Sequence, residues 1–144
     1  MNFRKLEEDL IRDEGLRLTV YRCPAGLKTI GVGHQLTDFD LDIKSCSLET
    51  AGMYLSKDIA VAIEGTIRIF GRDIWDSMSE RRQHALINMM FNLGESGFRG
   101  FVKMIAAVKA GIWHRAGDEA ISSLWYHQTG GARAGRIVMA LLEG

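Results

Sequence analysis

The sequence has little of several features that mark special classes of protein. Its 144 residues include one proline and two cysteines, and 18 lysines and arginines balance 18 aspartates and glutamates. Two cysteines are too few for a disulfide framework, so we expect Cys23 and Cys46 to be reduced thiols. A net charge of zero removes the main electrostatic argument for a nucleic-acid or membrane-surface partner.

Long apolar runs are also missing. Residues 1–15 carry charges every few positions. We therefore expect no signal peptide, no membrane anchor and no stable membrane association, so that the protein stays where it is made. What is present is typical of one compact globular domain, since 47% of the residues are hydrophobic and 25% are charged.

The first third of the chain combines one helix with a small sheet. Apolar residues at helical spacing predict a helix over residues 3–13, which Gly15 ends. Alternating and β-branched residues then predict a β-hairpin or small antiparallel sheet over residues 16–35, with a turn at Pro24 and Gly26. The polar stretch 37–45 is predicted as a loop.

The rest of the chain has only helical patterns. Ser47 is the predicted N-cap of a long helix, a candidate strut between two lobes. Further helices are predicted from Glu80 to Gly94 and over residues 101–110, 113–123 and 133–142. The order predicts an α+β fold whose sheet and helices are segregated.

Several large apolar side chains are predicted to fill the core. Methionine is a flexible core residue, and burial is also the preferred interpretation of Trp125 and Tyr126 over stacking on sugar rings. The methionines concerned are Met53, Met78, Met89, Met90, Met104 and Met139.

Glu14 is the first candidate for chemistry. It lies at the end of the first helix, where carbonyl groups direct their negative ends toward it, and the following sheet should partly cover it. Both effects oppose ionisation, and a carboxyl group that keeps its proton can act as a general acid in glycoside hydrolysis.

Two further reactive groups flank the predicted turn. Eight residues separate Glu14 from Cys23, and five separate Cys23 from Thr29. This spacing gathers three reactive side chains around one cleft. The spacing alone is moderately informative, so the flanking residues decide its meaning.

Those flanking residues resemble the phage-type lysozymes, the muramidase endolysins of the T-even phage lysozyme family. The resemblance is carried by DEGLRL at 13–18, YRCPAG at 21–26 and TIGVGH at 29–34. It continues through INMMFNLGE at 87–95 and WYHQT at 125–129, followed by Arg133 and Arg136. Nearly the whole chain is covered, in the same order.

The resemblance implies a single lysozyme domain with two lobes. A sheet-containing lobe over about residues 14–46 would be joined by a helix over about 47–70 to a helical lobe, formed by about 71–144 with 1–13. The enzyme would cleave the β-1,4 bond between N-acetylmuramic acid and N-acetylglucosamine in peptidoglycan, without metal or cofactor. Glu14 would donate the proton, and Cys23 and Thr29 would position water on the opposite face of the sugar, which favours inversion.

The resemblance also implies supporting residues. Arg133 would pair with Glu14, and this positive charge opposes the effect of burial on the carboxyl group. His34 would pair with Asp58 on the long helix, since a structural ion pair is preferred over metal ligation. Asn92 would bind an acetamido group of the substrate.

Cys23 departs from the commonest form of the family, in which aspartate occupies this position. A carboxylate can hold and partly deprotonate water, whereas a neutral thiol offers only weak hydrogen bonds. As a thiolate it would be a strong nucleophile. The family includes members with either residue, so we expect activity to survive.

Three other functions stay open from the sequence. A lytic transglycosylase would use Glu14 alone and give a 1,6-anhydro product. A peptidase would use Cys23 with His34 to cut the peptide stems. A wall-binding protein would have lost catalysis through the Cys23 replacement.

The resemblance further implies where the protein acts. We expect a monomer that accumulates in the host cytoplasm and reaches the cell wall after a separate holin opens the membrane. Peptidoglycan is the expected partner.

Overall fold

A computed structural model of the chain describes residues 1–40 and 42–144. Over these residues the chain forms eight α-helices, three strands and one 3-10 turn, and the predicted α+β order is confirmed. The helices are α1 Phe3–Glu14, α2 Leu48–Phe70, α3 Arg72–Ser77, α4 Glu80–Arg99, α5 Val102–Lys109, α6 Trp113–Ile121, α7 Leu124–Thr129 and α8 Gly131–Glu143. The strands are β1 Arg17–Arg22, β2 Lys28–Gly31 and β3 His34–Gln35, and the 3-10 turn is Asp38–Asp40.

The chain divides into two compact units, residues 2–60 and residues 61–144 together with Met1. Helix α2 begins in the first unit and ends in the second. The first unit includes α1, whereas the resemblance implies that residues 1–13 belong with the helical lobe. Only two residues separate α1 from β1, and the last side chain of α1 lies against the β2–β3 turn, so α1 and the sheet are local neighbours.

Helix α1 has a capping group at each end. The Asn2 side chain accepts a hydrogen bond from the Lys5 N–H at 3.1 Å. Gly15 has φ 77° and donates its N–H to Ile11 O at 2.8 Å. A left-handed φ favours glycine, so Gly15 ends the helix as the sequence predicts.

Strands β1, β2 and β3 form an antiparallel sheet in that order. Between β1 and β2 the Cys23 N–H donates to Leu27 O at 3.0 Å, which closes a three-residue loop. Gly26 has φ 81° within it, as hairpin loops of this length favour. The predicted hairpin turn is therefore confirmed.

The predicted loop 37–45 also contributes to the sheet. Val20 N–H donates to Lys44 O at 3.0 Å, and Cys46 N–H donates to Leu18 O at 2.9 Å. Residues 44–46 thus pair with β1 through backbone bonds that a polar sequence does not reveal. Position 41 of this loop lies outside the described residues.

The unit of residues 61–144 has a helical core. Helix α8 packs against α4, α6 and α7, and α5 packs against α6. Phe70 and Phe98 meet edge to face with ring centroids 6.0 Å apart, and Trp125 meets Phe101 in the same way at 6.1 Å. Trp125 is buried, as predicted, whereas Tyr126 is only half-buried.

Two groups of predictions for the helices need correction. Gly94 interrupts α4 with φ 72° and ψ 166°, as predicted, but helix resumes beyond it to Arg99. The short helices α3 and α7 lack a clear periodic pattern and add to the predicted set.

The prediction that six methionines fill the core is correct for four of them. Met53 and Met139 are 67% and 46% exposed, so these two are not core residues; the other four methionines are buried. No helix in the described part of the chain is long and apolar enough to cross a bilayer.

Candidate active site

Glu14 is the last residue of α1, and its carboxyl group packs against the turn between β2 and β3. A Cβ atom placed on Gly33 would lie 2.9 Å from Glu14 Oε2 and 3.1 Å from its Cδ. Gly33 also has φ 65°. Glycine at this position therefore permits the turn and leaves the room that the Glu14 carboxyl group occupies.

The hairpin places Cys23 and Thr29 on one face. Tyr21 pairs with Thr29 across the ladder, and the pair formed by Cys23 and Leu27 continues the same register. Side chains that are directly opposite, or two positions apart on one strand, share a face of a sheet. Cys23 and Thr29, which the sequence analysis selected, therefore lie together with Tyr21.

The half-buried Cys23 thiol is surrounded by hydrogen-bond donors. The backbone N–H of Leu27 holds the pKa of this thiol below its ordinary value, and the Ala25 N–H and the Thr29 hydroxyl act in the same direction. These groups favour the thiolate over the thiol, against the opposing effect of burial. The surroundings of position 23 thus favour a negative charge.

Thr29 is 2% exposed, and its hydroxyl donates to Leu27 O at 2.9 Å. Thr29 also helps to hold the pKa of the Cys23 thiol below its ordinary value. Thr29 is therefore fixed within its own strand and favours negative charge at Cys23. Its burial leaves Cys23 as the more accessible of the two groups.

Tyr21 is a further residue of this face that the sequence analysis did not select. Burial raises the pKa of its phenol, the charge of Glu14 raises it further, and Arg17 lowers it. The Arg17 guanidinium lies 4.5 Å from the centroid of the Tyr21 ring. The alternation of β1 could have indicated Tyr21, because residues two positions apart on a strand share a face and Tyr21 lies two positions before Cys23.

His34 and Asp58 pair as the sequence analysis expected. His34 Nδ1 and Asp58 Oδ2 are 2.7 Å apart, and the His34 ring stacks on Tyr54 with centroids 4.1 Å apart. The hydrogen bond and the stack fix the imidazole ring on α2. The pairing is confirmed, while the contribution of this pair to function stays a prediction.

Two predicted residues lie in the unit of residues 61–144. Arg133 is buried on α8, and its Nε donates to Asn88 Oδ1 at 2.9 Å. Exposed Asn92 accepts a hydrogen bond from Trp125 Nε1 at 2.9 Å, which orients its amide group. The role of Asn88 had no signal in the sequence, because its partner is 45 residues away.

Comparison with known proteins identifies the family of the chain. The sequence model of the phage lysozyme family matches residues 12–141. The chain is 34% identical to the pre-baseplate central spike protein Gp5 of Enterobacteria phage T4, over 96% of this chain and 28% of that protein. It is 27% and 26% identical to probable T4-type lysozymes 2 and 1 of Dictyostelium discoideum, over 96% and 95% of this chain and 94% of each relative.

The chain thus spans about a quarter of the spike protein's length, at 28%, and nearly the whole of both Dictyostelium proteins. The family match takes in Glu14, Cys23 and Thr29 and extends through most of α8. The chain belongs to the phage lysozyme family and is a lysozyme-type enzyme.

Proposed function

We propose that this lysozyme hydrolyses the β-1,4 bond between N-acetylmuramic acid and N-acetylglucosamine in peptidoglycan, with inversion at the anomeric carbon. Family membership supports peptidoglycan hydrolysis. The bond cleaved, the residue roles and the stereochemistry are our proposal. Two observations support it: the Glu14 carboxyl group lies against Gly33 in the β2–β3 turn, and Cys23 and Thr29 share one face of the β1–β2 hairpin of the same sheet.

Glu14 is the proposed general acid. Cleavage of a glycosidic bond needs a proton on the leaving oxygen, and a carboxyl group fixed at a helix end can deliver it. Contact with Gly33 limits the positions that this carboxyl group can take. The Glu14 proton passes to the leaving oxygen as the bond to the anomeric carbon breaks.

Cys23 is proposed to hold the attacking water on the other face of the sugar. The N–H groups of Leu27 and Ala25 and the Thr29 hydroxyl stabilise negative charge at position 23. The same donors would serve an aspartate, so the local structure suits either residue. Thr29 would act by supporting Cys23, because it is itself buried.

The remaining predicted residues have supporting roles in this proposal. Asn92, whose amide is oriented by Trp125, would bind an acetamido group. The hydrogen bond between His34 and Asp58 would stabilise the join between the sheet and α2. Pairing of Arg133 with Glu14 is taken from the resemblance and stays a prediction.

Product analysis in heavy-oxygen water tests the reaction. Hydrolysis at the proposed bond would place the heavy oxygen on the new reducing end of muramic acid, and inversion would first give the α-anomer. A 1,6-anhydro product without solvent oxygen would instead identify a lytic transglycosylase. Cleavage of the peptide stems with intact glycan chains would identify a peptidase.

Substitution of Glu14 tests the proton donor. We expect Glu14→Gln to lower lysis by at least about a hundredfold, the scale of a general-acid contribution. Glu8→Gln is the matched control, because Glu8 lies on the same helix, is exposed and pairs with Arg4. Retention of more than about a tenth of the rate by Glu14→Gln would contradict a general-acid role.

Substitution of Cys23 tests the water-binding group. We expect Cys23→Ala to be costly and Cys23→Asp to be tolerated, with Cys46→Ala as the control for loss of a thiol. Equal rates for all three variants would remove Cys23 from the mechanism. If the native protein only sediments with peptidoglycan and Cys23→Asp restores lysis, the chain is a wall-binding protein.

A further inference from the structure

Tyr54 on α2 has no role in the mechanism above, but it lies next to the turn that meets Glu14. Its ring stacks face to face on the His34 imidazole, with centroids 4.1 Å apart and an angle of 3° between the planes. His34 directly follows Gly33, the residue against which the Glu14 carboxyl group packs. Two contacts and one peptide bond therefore connect the Tyr54 ring with the proposed general acid.

The β2–β3 turn touches α2 at both of its ends. At the start of the turn, a Cβ atom placed on Gly31 would lie 3.5 Å from Ala51 Cβ. At its end, His34 stacks on Tyr54, and His34 Nδ1 lies 2.7 Å from Asp58 Oδ2. Positions 51, 54 and 58 are three and four residues apart, so their side chains share one face of α2. This face of α2 therefore supports the turn.

The end of the turn depends on these contacts more than its start does. Before the turn, β2 is the central strand of the sheet, and Ile30 and Val32 are buried. After the turn, β3 is an edge strand of two residues. So short a strand has little stability of its own. The Tyr54 stack and the Asp58 hydrogen bond therefore add support at His34 that β3 does not supply.

The hydrogen bond and the stack restrain different movements of the imidazole ring. The bond to Asp58 fixes the distance of His34 Nδ1 from α2 but leaves the ring free to tilt about that atom. A parallel ring at 4.1 Å opposes this tilt, because tilting would separate the two faces on one side and crowd them on the other. Tyr54 therefore fixes the plane of the His34 ring and, through it, the backbone next to Gly33.

We propose that Tyr54 is a positioning residue for Glu14: by stacking on His34 it holds the β2–β3 turn at the place where Gly33 confines the Glu14 carboxyl group. This inference rests on the proposed function of Glu14. Tyr54 takes part in no bond making or breaking. It keeps the Glu14 proton within reach of the leaving oxygen, and proton transfer to that oxygen is sensitive to small displacements of the donor.

Removal of the ring tests this role. We expect Tyr54→Ala to lower kcat on soluble peptidoglycan fragments about tenfold, less than the roughly hundredfold loss for a catalytic group misplaced by about 1 Å. KM should change less than about twofold, because the proton is donated in the transition state and not during substrate binding. Tyr54→Phe keeps the stacked ring, so its kcat should lie within about twofold of wild type. Wild-type kcat in Tyr54→Ala, or equal losses in both variants, would overturn the proposal.

A matched variant separates positioning from stability. Ile59→Val shortens a buried side chain of the same helix and leaves the residues that touch the turn unchanged. We expect both Tyr54→Ala and Ile59→Val to lower Tm, and only Tyr54→Ala to lower kcat per folded molecule. If kcat falls with Tm to the same extent in both variants, Tyr54 only stabilises the fold and the proposal fails.

A double variant tests whether Tyr54 acts through Gly33. Gly33→Ala already displaces the Glu14 carboxyl group, so loosening the turn should cost little more. We expect the combination of Gly33→Ala with Tyr54→Ala to have the kcat of Gly33→Ala alone, within about twofold. A further fall of about tenfold would show that Tyr54 affects the rate by another route, and it would contradict the proposal.

The same variants distinguish this inference from the proposed function. If Glu14→Gln abolishes lysis while Tyr54→Ala matches wild type, the general acid stands and only the role of Tyr54 is wrong. If Glu14→Gln keeps its activity, the proposed function fails, and this inference fails with it.

Discussion

The two units of the chain use their polar side chains in different settings. In residues 2–60 the candidate catalytic groups lie on a short hairpin and at a helix end, with donors from neighbouring backbone. In residues 61–144 the main polar pair, Arg133 and Asn88, is buried, and its members are 45 residues apart. Cys23 in the first setting is half-buried and can be substituted without opening the core, whereas Arg133 and Asn88 are part of the core.

Gly33→Ala should displace the Glu14 carboxyl group in the first unit, and we expect it to lower the rate of lysis more than the other substitutions discussed below. The added Cβ would lie 2.9 Å from Glu14 Oε2, so the carboxyl group must move. Misplacement of a catalytic group by about 1 Å can cost about a hundredfold in rate, so we expect a loss of that size. The positive φ adds about 1–2 kcal/mol of strain, which urea unfolding would measure.

Gly111→Ala is the control for Gly33→Ala. Gly111 has φ 71° and nothing within 4 Å of the added Cβ, so the backbone strain is similar and the steric contact is missing. We expect similar stability loss and nearly normal lysis per folded molecule. Equal activity of the two variants would show that the position of the Glu14 carboxyl group is not limited by Gly33.

Asn88→Ala tests the second setting. It removes the acceptor at 2.9 Å from the buried Arg133 Nε, and we expect the free energy of unfolding to fall by about 2 kcal/mol. The rate per folded molecule should change less than in Gly33→Ala. Gln83→Ala, which removes a bond to Trp75 O at a less buried position, should cost less. Unchanged stability with a large loss of rate would contradict the distinction between the two units.

The same difference explains what the sequence could predict. The spacing from Glu14 to Thr29 is short, and strand alternation with the turn at Gly26 determines which hairpin side chains meet. Gly15 and Gly94 marked helix breaks for a comparable local reason, since each has a positive φ. Local backbone chemistry was therefore sufficient for much of the fold, whereas the choice of Glu14, Cys23 and Thr29 as candidate catalytic residues rests on the family resemblance.

Features that depend on distant contacts were missed. The six-residue helices α3 and α7 are too short for a clear periodic pattern. Met53 and Met139 lie within helical patterns but on exposed faces, which only packing reveals. The bond between Arg133 and Asn88 joins α8 to α4, and no spacing rule connects positions so far apart.

The smallest expected effect is on stability, at Glu95. This residue is polar and belongs to the helical unit, but it lies at the surface. Its carboxylate accepts hydrogen bonds from Arg68 Nε and Nη2 at 2.9 and 2.7 Å and from Arg99 Nε at 3.2 Å. The Arg68 hydrogen bonds hold the pKa of Glu95 below its ordinary value, and Arg99 adds to this effect. Folding therefore favours the ionised form.

A lowered pKa fixes the sign of the pH dependence. The stabilisation is present above the unfolded-state pKa of glutamate, about 4.3, and is lost as the pH falls through the lower pKa of the folded state. Glu95→Gln should lower Tm slightly at pH 7, less so at high salt, and the difference should vanish in acid. Arg68→Met should lower Tm in the same way, and the double variant should lower Tm little more than either single variant. A Tm difference that persists unchanged into acid would show that Glu95 stabilises this unit by packing, as the buried pair does, rather than by charge.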